Sequence, residues 1–298
     1  MKNTFLLGLA GLALAASAAL SSTTASFAQQ SDSIRLCTGS STGVYFQVGS
    51  IIATFATNAG PIEVKSSGGT FDNMDRLLLP ASDPNSCDAM IGQPDGPAFL
   101  KRTKPGDAAH ITPTVKLHRE YLQVLCSTES GITNLSQLST KNRVAVGATG
   151  SGTWLIWQNF IEQDSKYGEI PVTSDSGDIA LSAVQNNEVS CMLVAAGVPY
   201  DVVSTADAVY GDLIALVSAT DKDFNDATDI NGKPLYEWRD VPKKAYPVTF
   251  GRYWGAPETV SWNATLYVNK DKLTTAKLNA LLKAAGRARA QVLSTFGQ

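Results

Sequence analysis

Three short turns in this 298-residue chain carry the residue types that hold small anions. They are Ser40-Ser41-Thr42-Gly43, Ser66-Ser67-Gly68-Gly69-Thr70 and Gly147-Ala148-Thr149-Gly150-Ser151-Gly152-Thr153. Each follows an apolar, strand-like run and precedes a helical pattern, so each offers hydroxyls and bare backbone N–H groups at a helix start. The third turn has the Gly147–Gly152 spacing of a phosphate-binding loop, but Thr153 stands where that loop needs lysine. No G-x-G-x-x-G follows a strand, so the dinucleotide fingerprint is absent as well. Glycines and hydroxyls without a cation suit one carboxylate, or a polar neutral group, better than a triphosphate. For a single turn, helix capping by Ser or Thr explains the composition equally well. Three such turns at the C-terminal edge of parallel strands, where open α/β sheets bind ligands, argue for a site.

Groups for catalysis are sparse. The two histidines, His110 and His118, fall in a polar stretch that reads as surface, and neither stands beside a candidate serine nucleophile. There is no G-x-S-x-G elbow and no H-E-x-x-H. Acids such as Asp88 and Asp95 are scattered and read as solvated loop residues. The expectation is a protein that is not an enzyme and carries no cofactor or metal.

The elements that position these turns alternate as short apolar runs and amphipathic ones, the pattern of α/β architecture with mostly parallel strands. "IRLCTG" reads as a strand, followed by a helix from Gly43 to Asn58 with Gly60 as its stop. "IEVKSS" is a second strand, with a helix after it through Leu79; "DAMIG", "EYLQVLCST", "RVAVGA", "VSCMLVAAG" and "DLIALVS" continue the series. "ETVSWNATLYV" alternates as a long strand, and Thr274 to Leu293 is a final amphipathic helix. Between Thr220 and Lys244, acids, Asn, Gly and Pro mark an irregular excursion. The segments "IRLCTGSSTGVYFQVGSII" and "RVAVGATGSGTWLIWQNFI" share one plan of strand, hydroxyl turn and apolar helix, which two lobes would each supply once.

The N-terminus has Lys2, an apolar run from Phe5 to Leu20 and Ser26-Phe27-Ala28, the pattern of an export signal cleaved near Ala28. The formal charge is -3, and the leader's one charged residue, Lys2, takes the exported chain to -4. Such a chain has no electrostatic footprint for nucleic acid or an anionic membrane. Four cysteines, Cys37, Cys87, Cys126 and Cys191, have no metal-type spacing. Export permits disulfides, with Cys87 in a polar loop the favoured partner, while buried free thiols stand as the alternative.

The ordered motifs resemble the TAXI-type solute-binding proteins, receptor subunits of TRAP transporters. The residues that carry the resemblance are Gly39-Ser40-Ser41-Thr42-Gly43-Val44-Tyr45, Gly68-Gly69-Thr70-Phe71-Asp72-Asn73, Asp88 to Asp95 ("DAMIGQPD"), Gly147 to Thr153 and Ala196-Gly197-Val198-Pro199. They occur in the family's order and cover roughly residues 34 to 200; the resemblance thins beyond Pro199.

The resemblance implies a two-lobed periplasmic binding protein, type II-like, each lobe a mainly parallel sheet flanked by helices, with hinge strands between the lobes. The expected division is a signal peptide over 1–28, lobe 1 over 29–124 plus 220–298, and lobe 2 over 125–219. It further implies a monomeric receptor that captures a small organic acid such as glutamate or 2-oxoglutarate and hands it to a TRAP permease. Ser40, Thr42, Tyr45, Thr70, Asn73 and Gln93 are the expected contacts from lobe 1, with Thr149, Ser151, Gly152 and Thr153 closing from lobe 2. Trp154 packs either on the ligand or in the core. Arg252 and Trp254 either line the cleft, for a larger or aromatic acid, or belong to a surface loop. Rival readings are the binding protein of an ABC-type importer and, more remotely, a periplasmic hydrolase.

Overall fold

The computed structural model describes residues 33–58 and 60–296. The expected signal peptide, residues 1–28, lies outside them. In chain order the strands are β1 (Ile34–Cys37), β2 (Ile62–Lys65), β3 (Ala89–Gly92), β4 (Thr112–Ser127), β5 (Val144–Ala145), β6 (Val172–Thr173), β7 (Cys191–Ala196), β8 (Ile214–Val217), β9 (Glu237–Asp240) and β10 (Glu258–Val268). The helices are α1 (Val44–Thr54), α2 (Thr70–Leu78), α3 (Asp95–Thr103), α4 (Pro105–Ala108), α5 (Gly152–Gln163), α6 (Gly177–Gln185), α7 (Asp201–Val209) and α8 (Thr275–Phe296).

Two long strands unite a two-lobed mixed α/β fold. The sheet runs β2-β1-β3-β10-β4-β7-β5-β6, with β8 added to β4 and β9 to β10. Pairings among the outer strands (β1 with β2 and β3, β5 with β6 and β7) are parallel, as the βα alternation predicts. β4 and β10 pair antiparallel with their neighbours, so the centre of each lobe's sheet is mixed. β4 changes partners along its length: Thr112 to Glu120 face β10, whereas Tyr121 to Cys126 face β7. One continuous strand therefore belongs to both lobes.

Two apolar clusters hold these elements together. In the first lobe, Ile34, Leu36, Val48, Ile52, Leu266 and Val268 meet Leu281, Ala285 and Val292 of α8 in one core. Another core crosses between the lobes: Trp157, Phe160 and Tyr167 pack with Phe224, Tyr236 and Trp262. Each large side chain fully buried there contributes about 1.5–3 kcal/mol. Residues 220–244 are therefore more than an excursion: Phe224 stacks on Phe160 with ring centroids 3.6 Å apart, and Glu237–Asp240 forms β9. Clusters of polar residues hid those anchors from periodicity.

Two further expectations are corrected. β4 begins eight residues before Glu120, and His118, expected at the surface, is fully buried on it. Its ring lies 6.0 Å from Tyr45 and 5.7 Å from Phe296, because β4 is covered by α8 on that side. The cysteines are not free thiols: Cys37 bonds Cys87, and Cys126 bonds Cys191, its register partner across β4 and β7.

Candidate functional site

A cavity of about 230 Å³ opens where the two lobes meet, lined among others by Ser40, Tyr45, Thr70, Gln93, Glu120 and Gly152. Its size is below that of pockets for drug-sized ligands and suits a small metabolite.

The floor of the first lobe is built from two helix starts. α1 is entered through Gly43 and α2 through Gly69, and among the described residues neither has a side-chain cap. Gly43, Val44, Gly69 and Thr70 all border the cavity, so both helix starts lie at its wall. Each start carries the partial positive charge of its helix dipole. Gly69 sits at φ 105°, a left-handed-side conformation that a side chain would strain, which accounts for the Gly-Gly pair before α2. Thr70 is buried and its hydroxyl accepts from the Gln93 N–H at 3.2 Å, tying α2 to the end of β3.

The second lobe contributes the start of α5. Gln93 Nε2 donates to the Gly152 carbonyl at 3.2 Å, bridging β3 and α5. A methyl group added at Gly152 would overlap Gln93 Oε1, so only glycine permits this approach. Beside the bridge, Trp154 packs edge-on against Phe71 and Phe99, with centroids 6.3 and 5.8 Å away. Deeper in the interface Asn159 Nδ2 donates to the buried Asp95 carboxylate at 2.8 Å, and Arg102 donates to Asn159 Oδ1. Burial raises the Asp95 pKa against hydrogen bonds from Tyr236 and Asn159 that pull it down.

Glu120 supplies the cavity's carboxylate. It is almost fully buried on β4, and its Oε2 accepts from the Tyr45 hydroxyl at 2.9 Å and from Trp262 Nε1 at 2.8 Å. Burial and the Glu120 charge hold the Tyr45 phenol well above its ordinary pKa, so it stays a donor. The other oxygen, Oε1, has His118 Nε2 3.7 Å away, and neither nitrogen of that buried imidazole has a hydrogen-bond partner among the described residues. The cavity thus combines donors for an anion at one side with a carboxylate at another.

The remaining expected contacts sit elsewhere. Thr42 and Thr149 are exposed and do not border the cavity. Asn73 is buried but spends its amide N–H groups on the carbonyls of Thr38 and Ile91, at 2.6 and 2.9 Å, locking α2 onto β1 and β3. Ser151 caps α5 by accepting from the Trp154 N–H at 3.2 Å, and Thr153 Oγ1 accepts from the Ala195 N–H at 3.2 Å. These hydroxyls are consumed by the fold. Trp154 belongs to the aromatic contact between lobes, and Arg252 is exposed in the irregular turn Phe250–Trp254. The Trp254 side chain lies outside the described residues. Conversely, Glu120, Ala195 and Tyr200 line the cavity without having been singled out in the sequence, and Ala196 of the Ala196–Pro199 motif lines it as well. The sign in Glu120 was a lone acid at the head of an apolar strand.

A family model described as NMT1-like matches residues 36–272. Comparison with curated proteins finds no match. Among solved structures, a protein of Bordetella bronchiseptica RB50 aligns over 90% of this chain and 76% of its own, at TM-score 0.55 and 14% identity. An amino acid ABC transporter substrate-binding protein of Streptococcus pneumoniae, bound to L-arginine, aligns over 89% and 92% at TM-score 0.51 and 9% identity. The GluR0 ligand-binding core with L-glutamate aligns over 89% and 96% at TM-score 0.51 and 11% identity. Among the described residues, no helix is long and apolar enough to cross a membrane.

Proposed function

The chain belongs to the NMT1-like family, and from that premise we propose that it is a periplasmic receptor that closes two lobes on a small organic acid and delivers it to a membrane permease. The observation that carries this reading is the convergence of two uncapped helix starts, those of α1 and α2, on one small cavity between the lobes. A carboxylate buried there exchanges water for several preorganised N–H donors, which makes its desolvation tolerable. We take lobe 1 as 29–124 plus 220–298 and lobe 2 as 125–219. Support comes from the change of β4's partners after Glu120 and from the return at Ala219, whose N–H donates to the Glu258 carbonyl at 2.9 Å.

Glu120 narrows the ligand class. A buried carboxylate with one oxygen lacking a strong donor favours a ligand that also carries an ammonium group, so an amino acid such as glutamate fits better than 2-oxoglutarate. The neighbours bound to L-arginine and L-glutamate are consistent with that chemistry. For the permease, the ordered motifs from Gly39 to Pro199 support a TRAP type. An ABC-type importer is the second reading, supported by the Streptococcus pneumoniae neighbour.

Thermal-shift screening with amino acids, keto acids and aromatic acids tests the proposal. A small acid that binds only the folded state raises the melting temperature in proportion to the logarithm of its concentration over Kd. Stabilisation by one or a few amino acids is the expected result; none from any acid would remove the reading.

A further inference from the structure

A second polar cavity, of about 360 Å³, is lined by Leu117, Arg119, Tyr121, Arg239, Asn263, Arg289 and Leu293. Strand alternation separates it from the cleft: Glu120 of β4 borders the first cavity, while its neighbours Arg119 and Tyr121 line this one. Three guanidiniums from β4, β9 and α8 converge here. Arg119 and Arg239 both approach a single carboxylate oxygen, Glu237 Oε2, at 3.1 Å, and Arg119 Nη1 also donates to Ser261 Oγ at 3.0 Å. Arg289 makes no ion pair among the described residues. One acid against three guanidiniums leaves two positive charges unmatched around a concave surface, in a chain whose formal charge is -3. Arg119 and Arg239 also face Tyr121, where both oppose the upward push of burial on its phenol.

We propose that this cavity is a second ligand site, which binds a small oxyanion carrying two or more negative charges. Guanidinium groups fit such ligands because each presents paired, planar donors that match two oxygens of a phosphate or carboxylate. The Asn263 side chain and Leu293 complete the rim. Glu237 limits the site to ligands of charge sufficient to compete with it for Arg119 and Arg239, so chloride and simple monocarboxylates bind poorly. This inference does not depend on the ligand of the cleft.

Calorimetric titration of the protein with inorganic phosphate and with citrate, at ionic strength matched by sodium chloride, tests it. Saturable binding of either anion is expected, and Arg289→Gln, a change on the exposed face of α8, weakens it at least tenfold while leaving the melting temperature of the unliganded protein unchanged. The double variant Arg239→Gln/Arg289→Gln abolishes it. Glu120→Gln, in the cleft, leaves it intact. No binding beyond the sodium chloride control would overturn the proposal, as would binding that survives the double variant. Binding of a poly-glutamate peptide with none of phosphate or citrate would overturn it in favour of an acidic protein partner.

Discussion

Gln93 Nε2 donates to the carbonyl oxygen of Gly152 across 3.2 Å, so the end of β3 in one lobe grips the first residue of α5 in the other. That bond joins the two halves of the cavity wall and makes the approach of the lobes depend on a residue without a side chain.

Replacing Gly152 by alanine pushes Gln93 Oε1 away and breaks this contact. Loss of one interlobe hydrogen bond, worth about 0.5–1.5 kcal/mol, translates into ligand binding weakened up to about tenfold. The fold stays intact, because α5 keeps its Ser151 cap. Calorimetric affinity alongside a melting curve separates the two effects.

Thr153→Val acts differently. Its hydroxyl accepts from the Ala195 N–H at 3.2 Å, so valine strands a donor at the end of β7 and costs about 1–3 kcal/mol of stability. Affinity falls less than for Gly152→Ala, since Thr153 does not border the cavity. A large loss of affinity without a change in melting temperature would instead make Thr153 a ligand contact.

Glu120→Gln keeps an acceptor for Tyr45 and Trp262 but removes the charge. Hydrogen bonds to charged groups contribute about 1.5–3 kcal/mol, so an amino acid ligand should lose roughly 10- to 100-fold in affinity. The corresponding keto acid should lose less. Equal losses for both, measured by titration, would place Glu120 in support of the hinge rather than against an ammonium group.

Lys166 bridges Asp164 and Asp221 at 2.8 and 2.7 Å, and the Tyr167 hydroxyl also donates to Asp221 at 2.8 Å. The Lys166 hydrogen bond holds Asp164 below its ordinary pKa. Burial works against ionisation of Asp221, but Lys166 and Tyr167 bring it below its ordinary value as well. A carboxyl with a depressed folded pKa contributes stability above its unfolded value, about 3.9, and loses it as pH falls through the folded one. Lys166→Met should therefore lower the melting temperature by about 2 °C at pH 7, with the gap to wild type closing below about pH 4. A gap that persists after both carboxyls are protonated would mean the lysine acts through its ammonium group, which lies 4.8 Å from the Tyr167 ring centroid.

Much of this architecture was legible because its signals are local. Strand and helix alternation placed the outer parallel strands, and glycine-hydroxyl turns marked the starts of α1, α2 and α5. The same local chemistry blurred the site. A serine before a helix caps it or faces a ligand according to where the next strand lies, and Ser151 caps whereas Ser40 faces the cavity. Asn73 looked like a contact because it follows the right turn, but two strand ends three-dimensionally adjacent to it claim its amide. Glu120, His118 and Trp262 converge only because β4 and β10 cross the whole sheet in a given register, with Trp262 opposite Glu120. Long-range register has no counterpart in the spacing of residues along one chain.

The most direct test of the central claim is calorimetric titration of the protein with small zwitterionic acids, L-glutamate first, followed by their keto acids. One site per chain, with an amino acid bound more tightly than its keto acid, is the predicted result. No heat of binding from any small carboxylate at millimolar concentration would contradict it.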